Sequence, residues 1–140
     1  MNRIVSTFFL FFFALPGYAQ VSNLQGDFTH DFTAPKNQTV WGITKSGNAW
    51  HVRLDRSKET FTAHEVGVID RKEIWKKLWW PTETATTASC ISFVEEFGEP
   101  VICYVPRGAR DLVKDLKTYT SDYFYFDATM GLSEIRKKSR

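Results

Sequence analysis

His64-Glu65-Val66-Gly67-Val68 opens like the His-Glu-x-x-His helix of zinc proteases, in which two histidines one turn apart hold the metal. Here the second histidine is missing, and the segment alternates like a strand. The other two histidines, His30 beside Asp31 and His51, share no ligand spacing with His64, so surface histidines rather than a metal centre are expected. A carboxylate beside one of them in a cleft would point instead to acid–base chemistry. Nucleophilic catalysis has no better footing: there is no Gly-x-Ser-x-Gly elbow, and Ser46, Ser57, Ser89 and Ser92 have turn or strand explanations. The acidic pairs Glu95-Glu96 and Asp111/Asp115 would suit glycoside hydrolysis only at a defined spatial separation. No phosphate-binding loop or dinucleotide fingerprint occurs. No metal, no cofactor and no catalytic set are therefore expected.

The two cysteines lie in segments that read as strands, Ala88 to Glu95 and Pro100 to Val105, separated by Glu96-Phe97-Gly98-Glu99. In a hairpin centred between Glu96 and Phe97, paired positions sum to 193. Cys90 and Cys103 meet that sum, as do Ile91 with Ile102 and Ser92 with Val101. Opposed residues in such a ladder lie close enough for a disulfide, and an exported chain with two cysteines favours one.

Candidate binding residues come from charge and aromaticity. Arg107-Gly108-Ala109-Arg110 is a basic turn leading into a short helix, where guanidinium groups could hold an anion or a partner's carboxylate. Aromatic side chains and arginine concentrate at protein–protein hot spots, which selects Trp80, Tyr123, Tyr125 and Phe97 beside Arg107 and Arg110. The stretch Asp70 to Pro81 holds three of the five tryptophans. On a helix from Arg71 to Trp80, capped by Asp70 with Glu73 and stopped by Pro81, Ile74, Trp75, Leu78 and Trp79 form a stripe facing the core. Arg71, Lys72 and Lys76 point away, and burial of the stripe argues against a membrane-surface helix. Trp80, at the helix end, is then the tryptophan left to touch a partner.

The elements that would position these groups begin with a hairpin. Gln38 to Thr44 and Ala49 to Asp55 alternate around Lys45-Ser46-Gly47-Asn48. A Ser46-Gly47 turn sets Ile43 against Trp50, Trp41 against Val52 and Thr39 against Leu54, with His51, Arg53 and Asp55 on the opposite face. A third strand is expected from Glu59 to Ile69, bent near Gly67, and a second helix from Ala109 to Lys117. The chain closes with Tyr123 to Phe126 and a last strand from Leu132 to Arg136. Gln20 to Asn37 reads as irregular, anchored by Phe28 and Phe32. The expectation is a single α+β domain over 38–136. It comprises an antiparallel sheet of about six to seven strands in hairpins, two short helices packed on it and one intra-hairpin disulfide. Residues 137–140 form a basic tail.

Met1-Asn2-Arg3, the apolar run Ile4 to Leu15 and the small residues of Pro16-Gly17-Tyr18-Ala19 read as a signal peptide cut after Ala19. The mature chain would keep 140 − 19 = 121 residues and no transmembrane segment. Its formal charge of +2 with the signal included gives no reason to expect nucleic acid as partner. Asn37-Gln38-Thr39 matches a glycosylation sequon. The reading that follows is a small exported envelope protein of bacterial type, periplasmic or secreted, that is not an enzyme and binds a protein partner as an inhibitor or immunity factor would. The alternatives are a small-molecule or glycan-binding module, and a small cell-wall-acting enzyme with an unrecognised acid–base pair.

Overall fold

The computed structural model describes residues 22–30 and 38–139. The signal-peptide stretch, Phe32, the sequon residue Asn37 and Arg140 lie outside them. Eight antiparallel strands follow one another around a closed barrel: β1 (Gly26–His30), β2 (Trp41–Ser46), β3 (Ala49–Leu54), β4 (Thr60–Glu65), β5 (Ser89–Phe93), β6 (Val101–Tyr104), β7 (Tyr123–Asp127) and β8 (Gly131–Lys137). Helix α1 (Val68–Lys77) joins β4 to β5, and a single turn, α2 (Arg107–Arg110), begins the β6–β7 connection.

The open α+β sheet expected from sequence is therefore corrected to a mostly-β closed barrel, and β1 makes the difference. Gly26–His30 falls within the stretch read as irregular, because it carries one large apolar residue, Phe28, among polar neighbours. It pairs with β2 through Phe28 and Trp41 and with β8 through Phe28 and Lys137, so neither sheet edge stays open. The basic tail is tied to the same strand: the Lys138 backbone N–H donates to the Asp27 carbonyl at 2.8 Å. Lys137 Nζ donates to the Asn23 carbonyl at 3.0 Å.

Alternation sorts the residues into two cores. Phe28, Ile43, Trp50, Val52, Ile91, Phe93, Ile102 and Ile135 point into the barrel, all but inaccessible to solvent. Asp27, Thr44, Arg53, Thr62 and His64 stay exposed on the outside of β1 to β4. This polarity is the reverse of a membrane barrel, which turns an apolar band outward. No helix among the described residues is long and apolar enough to cross a membrane. Over β5, β6 and β7 the outer face is covered instead. There Cys90, Val101, Cys103 and Phe124 meet Trp75, Trp80 and Ala85 from the β4–β5 connection and Val113 and Leu116 from the β6–β7 connection.

The disulfide register holds: Cys90 pairs with Cys103, Ile91 with Ile102 and Ser92 with Val101, and the two cysteines are bridged. In the β2–β3 hairpin, pairing runs Trp41 to Leu54 and Ile43 to Val52, two residues from the expected register. The turn is Gly47-Asn48, with Gly47 at φ 60°, rather than Ser46-Gly47. A slip of two keeps every side chain on its expected face, where a slip of one would have inverted them all.

Helix α1 starts earlier and ends sooner than Asp70 and Trp80 imply. Its N-cap is Gly67, without a side-chain cap, and Asp70 sits inside the first turn, where its charge favours the helix dipole. Arg71, expected to point away, donates to the carbonyls of Val66 (2.6 Å) and Ala85 (3.0 Å) and ties the helix to its neighbours. Trp80 must leave helical geometry because Pro81 follows, so the chain turns back at Trp79, at φ 59°. The Trp80 N–H reaches the Trp75 carbonyl at 2.9 Å and the Trp79 N–H the Lys76 carbonyl at 3.1 Å. Those two bonds make a Schellman closure, whose usual apolar contact is here the edge-on pair Trp75–Trp80 at 5.2 Å. The expected second helix from Ala109 to Lys117 shrinks to the single turn of α2 followed by irregular turns.

Candidate functional site

One end of the barrel is closed. Leu24, in a short 3-10 turn (Ser22–Leu24), is fully buried in the inner core, and the Tyr123 hydroxyl donates to the Asn23 carbonyl at 3.0 Å. At this end Glu65 Oε1 accepts from the Trp50 indole at 2.8 Å and from Lys45 at 3.1 Å. The indole bond, followed by Lys45, holds its carboxyl below the ordinary carboxylate range despite some burial.

The opposite end is framed by connections 55–59, 94–100 and 128–130 and by Val40, and no element among the described residues closes it. An open cavity of about 650 Å3 lies there. Its apolar lining comes from Trp41, Leu54 and Phe61 on the strands and from Phe97 and Met130 on the turns. Its floor is built by β2 and β7, which direct Trp41 and Tyr125 inward so that their rings stack at 5.0 Å and 22°. His30, at the end of β1, lies against Trp41 at 4.7 Å, and burial pushes its imidazole below the usual value.

The polar lining is mainly acidic: Glu59, Glu95 and Glu96, with Arg56 opposing them. The Tyr125 hydroxyl makes a long contact, 3.5 Å, to Glu95. Burial chiefly, then the negative charges of Asp127 and Glu59, push the Glu95 carboxyl up. Tyr125 is also pushed up, by burial and by Glu95. Asp127 is buried and accepts the backbone N–H groups of Thr129 (2.7 Å) and Met130 (2.9 Å), which fixes the β7–β8 turn.

A carboxyl whose folded value is raised favours folding while it is protonated and disfavours it once ionised. Glu95→Gln is therefore expected to stabilise the protein near neutral pH, with the gain shrinking to nothing as pH falls below the ordinary glutamate value. Thermal melts of both proteins from about pH 4 to pH 8 test this; a pH-independent difference would show that ionisation of Glu95 is not the cause.

The residues singled out from sequence do not converge on one surface. Tyr125 and Phe97 meet at the open end. Tyr123, half-buried, packs against Phe28 inside the barrel, and its hydroxyl is pushed up to about 12 by burial and by neighbouring Tyr104 and Asp122. Arg107 is exposed. Arg110 is buried, donating to the carbonyls of Tyr119 and Ser121 and pairing with Asp122 at 3.2 Å. The two guanidinium groups thus face different surroundings and form no shared anion site.

Trp80 is 5 % exposed, its indole donating to Asp115 at 2.7 Å, whereas Trp79 is 95 % exposed. This reverses the expected burial of the pair. The Trp-Trp-Pro order carried part of the signal, since proline disfavours helical geometry in the residue before it, Trp80, and so ends the helix ahead of that ring. Glycine is the usual residue at the left-handed position, held here by Trp79. Trp79→Gly should raise stability by about 0.5–1 kcal/mol, less whatever the freer unfolded chain costs. Urea unfolding checks it, and a stability loss would show that the indole contributes to the fold.

A second groove, about 480 Å3, runs between α1 and the barrel wall and holds His64, Ser92 and Glu99. Here a carboxylate does stand beside a histidine: Glu99 lies 3.6 Å from His64 Nε2. The order of groups is wrong for nucleophilic catalysis. The Ser92 hydroxyl faces Glu99 at 3.2 Å and donates to the Pro100 carbonyl at 2.9 Å. The carboxylate therefore sits between serine and histidine, where a triad needs the histidine in the middle. No cluster of metal-ligating side chains occurs among the described residues. Comparison with protein-family models, curated proteins and solved structures finds no match for this chain.

Proposed function

We propose that this chain is an exported binding module, not an enzyme, that holds a small ligand with an apolar body at the open end of its barrel. The observation that carries this reading is the 650 Å3 cavity floored by the Trp41–Tyr125 stack. An eight-stranded barrel has room either for its own side chains or for one small ligand. Here side chains fill the closed half, and among the described residues a cavity remains above the Trp41–Tyr125 stack. Barrel mouths lined by apolar groups with a few convergent polar ones are common ligand sites, and a carboxyl displaced from its ordinary titration, as Glu95 is, marks such places.

A fragment screen followed by protein NMR tests the reading. Hits should cluster on the resonances of Trp41, Phe61, Phe97 and Met130. Hits confined to the α1 groove, or none at all, would sink it. The residues from Met1 to Ala19 support export, and sequencing the amino terminus of the secreted or periplasmic protein tests that.

A protein partner, bound as an inhibitor or immunity factor binds, is the second reading, and Trp79 is the observation that favours it. A left-handed, solvent-exposed indole is unfavourable twice over in the free protein, and docking into a partner's pocket offsets both costs. Tagged wild-type protein should capture the partner from envelope extract and Trp79→Ala should lose it. Equal capture by both would remove Trp79 from the interface.

A further inference from the structure

We propose that the open end of the barrel selects an organic cation, an amine carried on an apolar or aromatic body. This deepens the ligand-binding reading and rests on it. Acidic residues on a rim are by themselves ordinary solvated charges. These ones border a cavity whose floor is a buried aromatic stack. Glu59, Glu95 and Glu96 line it, Arg56 is the one base among the described lining residues, and buried Asp127 adds its charge next to Glu95.

Among the described residues none of these four carboxylates has an ion-pair partner within 4.0 Å. Away from the mouth, Glu65 pairs with Lys45, Glu73 with Lys76 and Asp122 with Arg110. The mouth thus gathers four acids that have no ion-pair partner among the described residues. A cation seated there would relieve the repulsion among Glu59, Glu95 and Asp127, and it would gain from the ring faces of the aromatic lining. A neutral ligand gains only burial, and an anion adds to the repulsion.

Three probes of nearly one shape and different charge decide the matter: benzylamine, benzyl alcohol and benzoate, each titrated near neutral pH while the Trp41 and Tyr125 resonances are followed. Benzylamine should bind about tenfold more tightly than benzyl alcohol, and benzoate most weakly of the three. Glu95→Gln and Glu59→Gln should each shrink the preference for benzylamine over benzyl alcohol. Both replacements keep side-chain shape, and the same spectra report whether the fold is intact. Equal or tighter binding of benzyl alcohol or benzoate at these resonances overturns charge selection while leaving the mouth as a ligand site. A benzylamine preference that survives both replacements overturns the role of these carboxylates. Failure of all three probes to move the mouth resonances removes the ligand-binding reading itself.

Discussion

Trp75→Ala is expected to cost about 3–5 kcal/mol, the range for deleting a large buried aromatic side chain. The ring is inaccessible to solvent and stands edge-on to Trp80 at 5.2 Å and 5.8 Å from Phe124. Its indole N–H donates to the Thr84 hydroxyl at 3.0 Å, which in turn donates to the Pro81 carbonyl at 2.7 Å. The substitution therefore leaves a cavity, takes from the Thr84 hydroxyl the donor it accepts from, and removes one side of the contact that closes helix α1. No backbone ladder holds that helix to the barrel, so packing supplies most of its stability. Urea unfolding should show a lower midpoint for Trp75→Ala and a slightly higher one for Trp79→Gly, opposite signs four residues apart. A Trp75→Ala loss under about 1 kcal/mol would mean that the outer layer is not packed around this ring.

The hairpins were legible because their signals are local. Cys90 and Cys103 fall in register through a short turn, and the β2–β3 pattern assigns its faces even when the turn is misplaced by one residue. Barrel closure was not legible. It depends on β1 meeting β8 across more than a hundred residues, and Asp27, Thr29 and His30 give that strand no continuous apolar pattern. The helix end failed for a different reason. Periodicity extended the stripe from Trp75 to Trp79, whereas Pro81 forces the backbone to reverse before Trp80 and exchanges the two rings.

The mouth was visible only in part. Phe97 and Tyr125 stood out as aromatics, but nothing local joins them to Trp41, Glu59 and Glu95, which the closed topology gathers from four different strands and turns. Local stability rules also fail where function is proposed. Glu95 is held where burial and the charges of Asp127 and Glu59 disfavour its ionised form, and Trp79 occupies a glycine position. A chain selected for stability alone would hold glutamine or an apolar residue at the first and glycine at the second.

The disulfide, by contrast, is expected to act on stability alone. Its removal in Cys90→Ala/Cys103→Ala should cost about 3 kcal/mol for a loop with a sequence separation of 13. For a domain of this size that lowers the melting temperature by roughly 10–15 °C. The two sulfurs lie on the outer face of β5 and β6, beneath the layer that holds Trp75, Trp80 and Leu116, and are 3 % and 0 % exposed. A thiol reductant can reach them only when that layer opens, so reduction of the native protein should follow the rate of local or global unfolding. Between the same two strands, Ile91 and Ile102 point the other way, into the barrel. Breaking the bridge thus loosens the outer layer and leaves the inner core and the mouth in place. Below its lowered melting temperature the double variant should bind mouth ligands with wild-type affinity. A variant that stays folded yet loses that binding would place the bridge in control of the site.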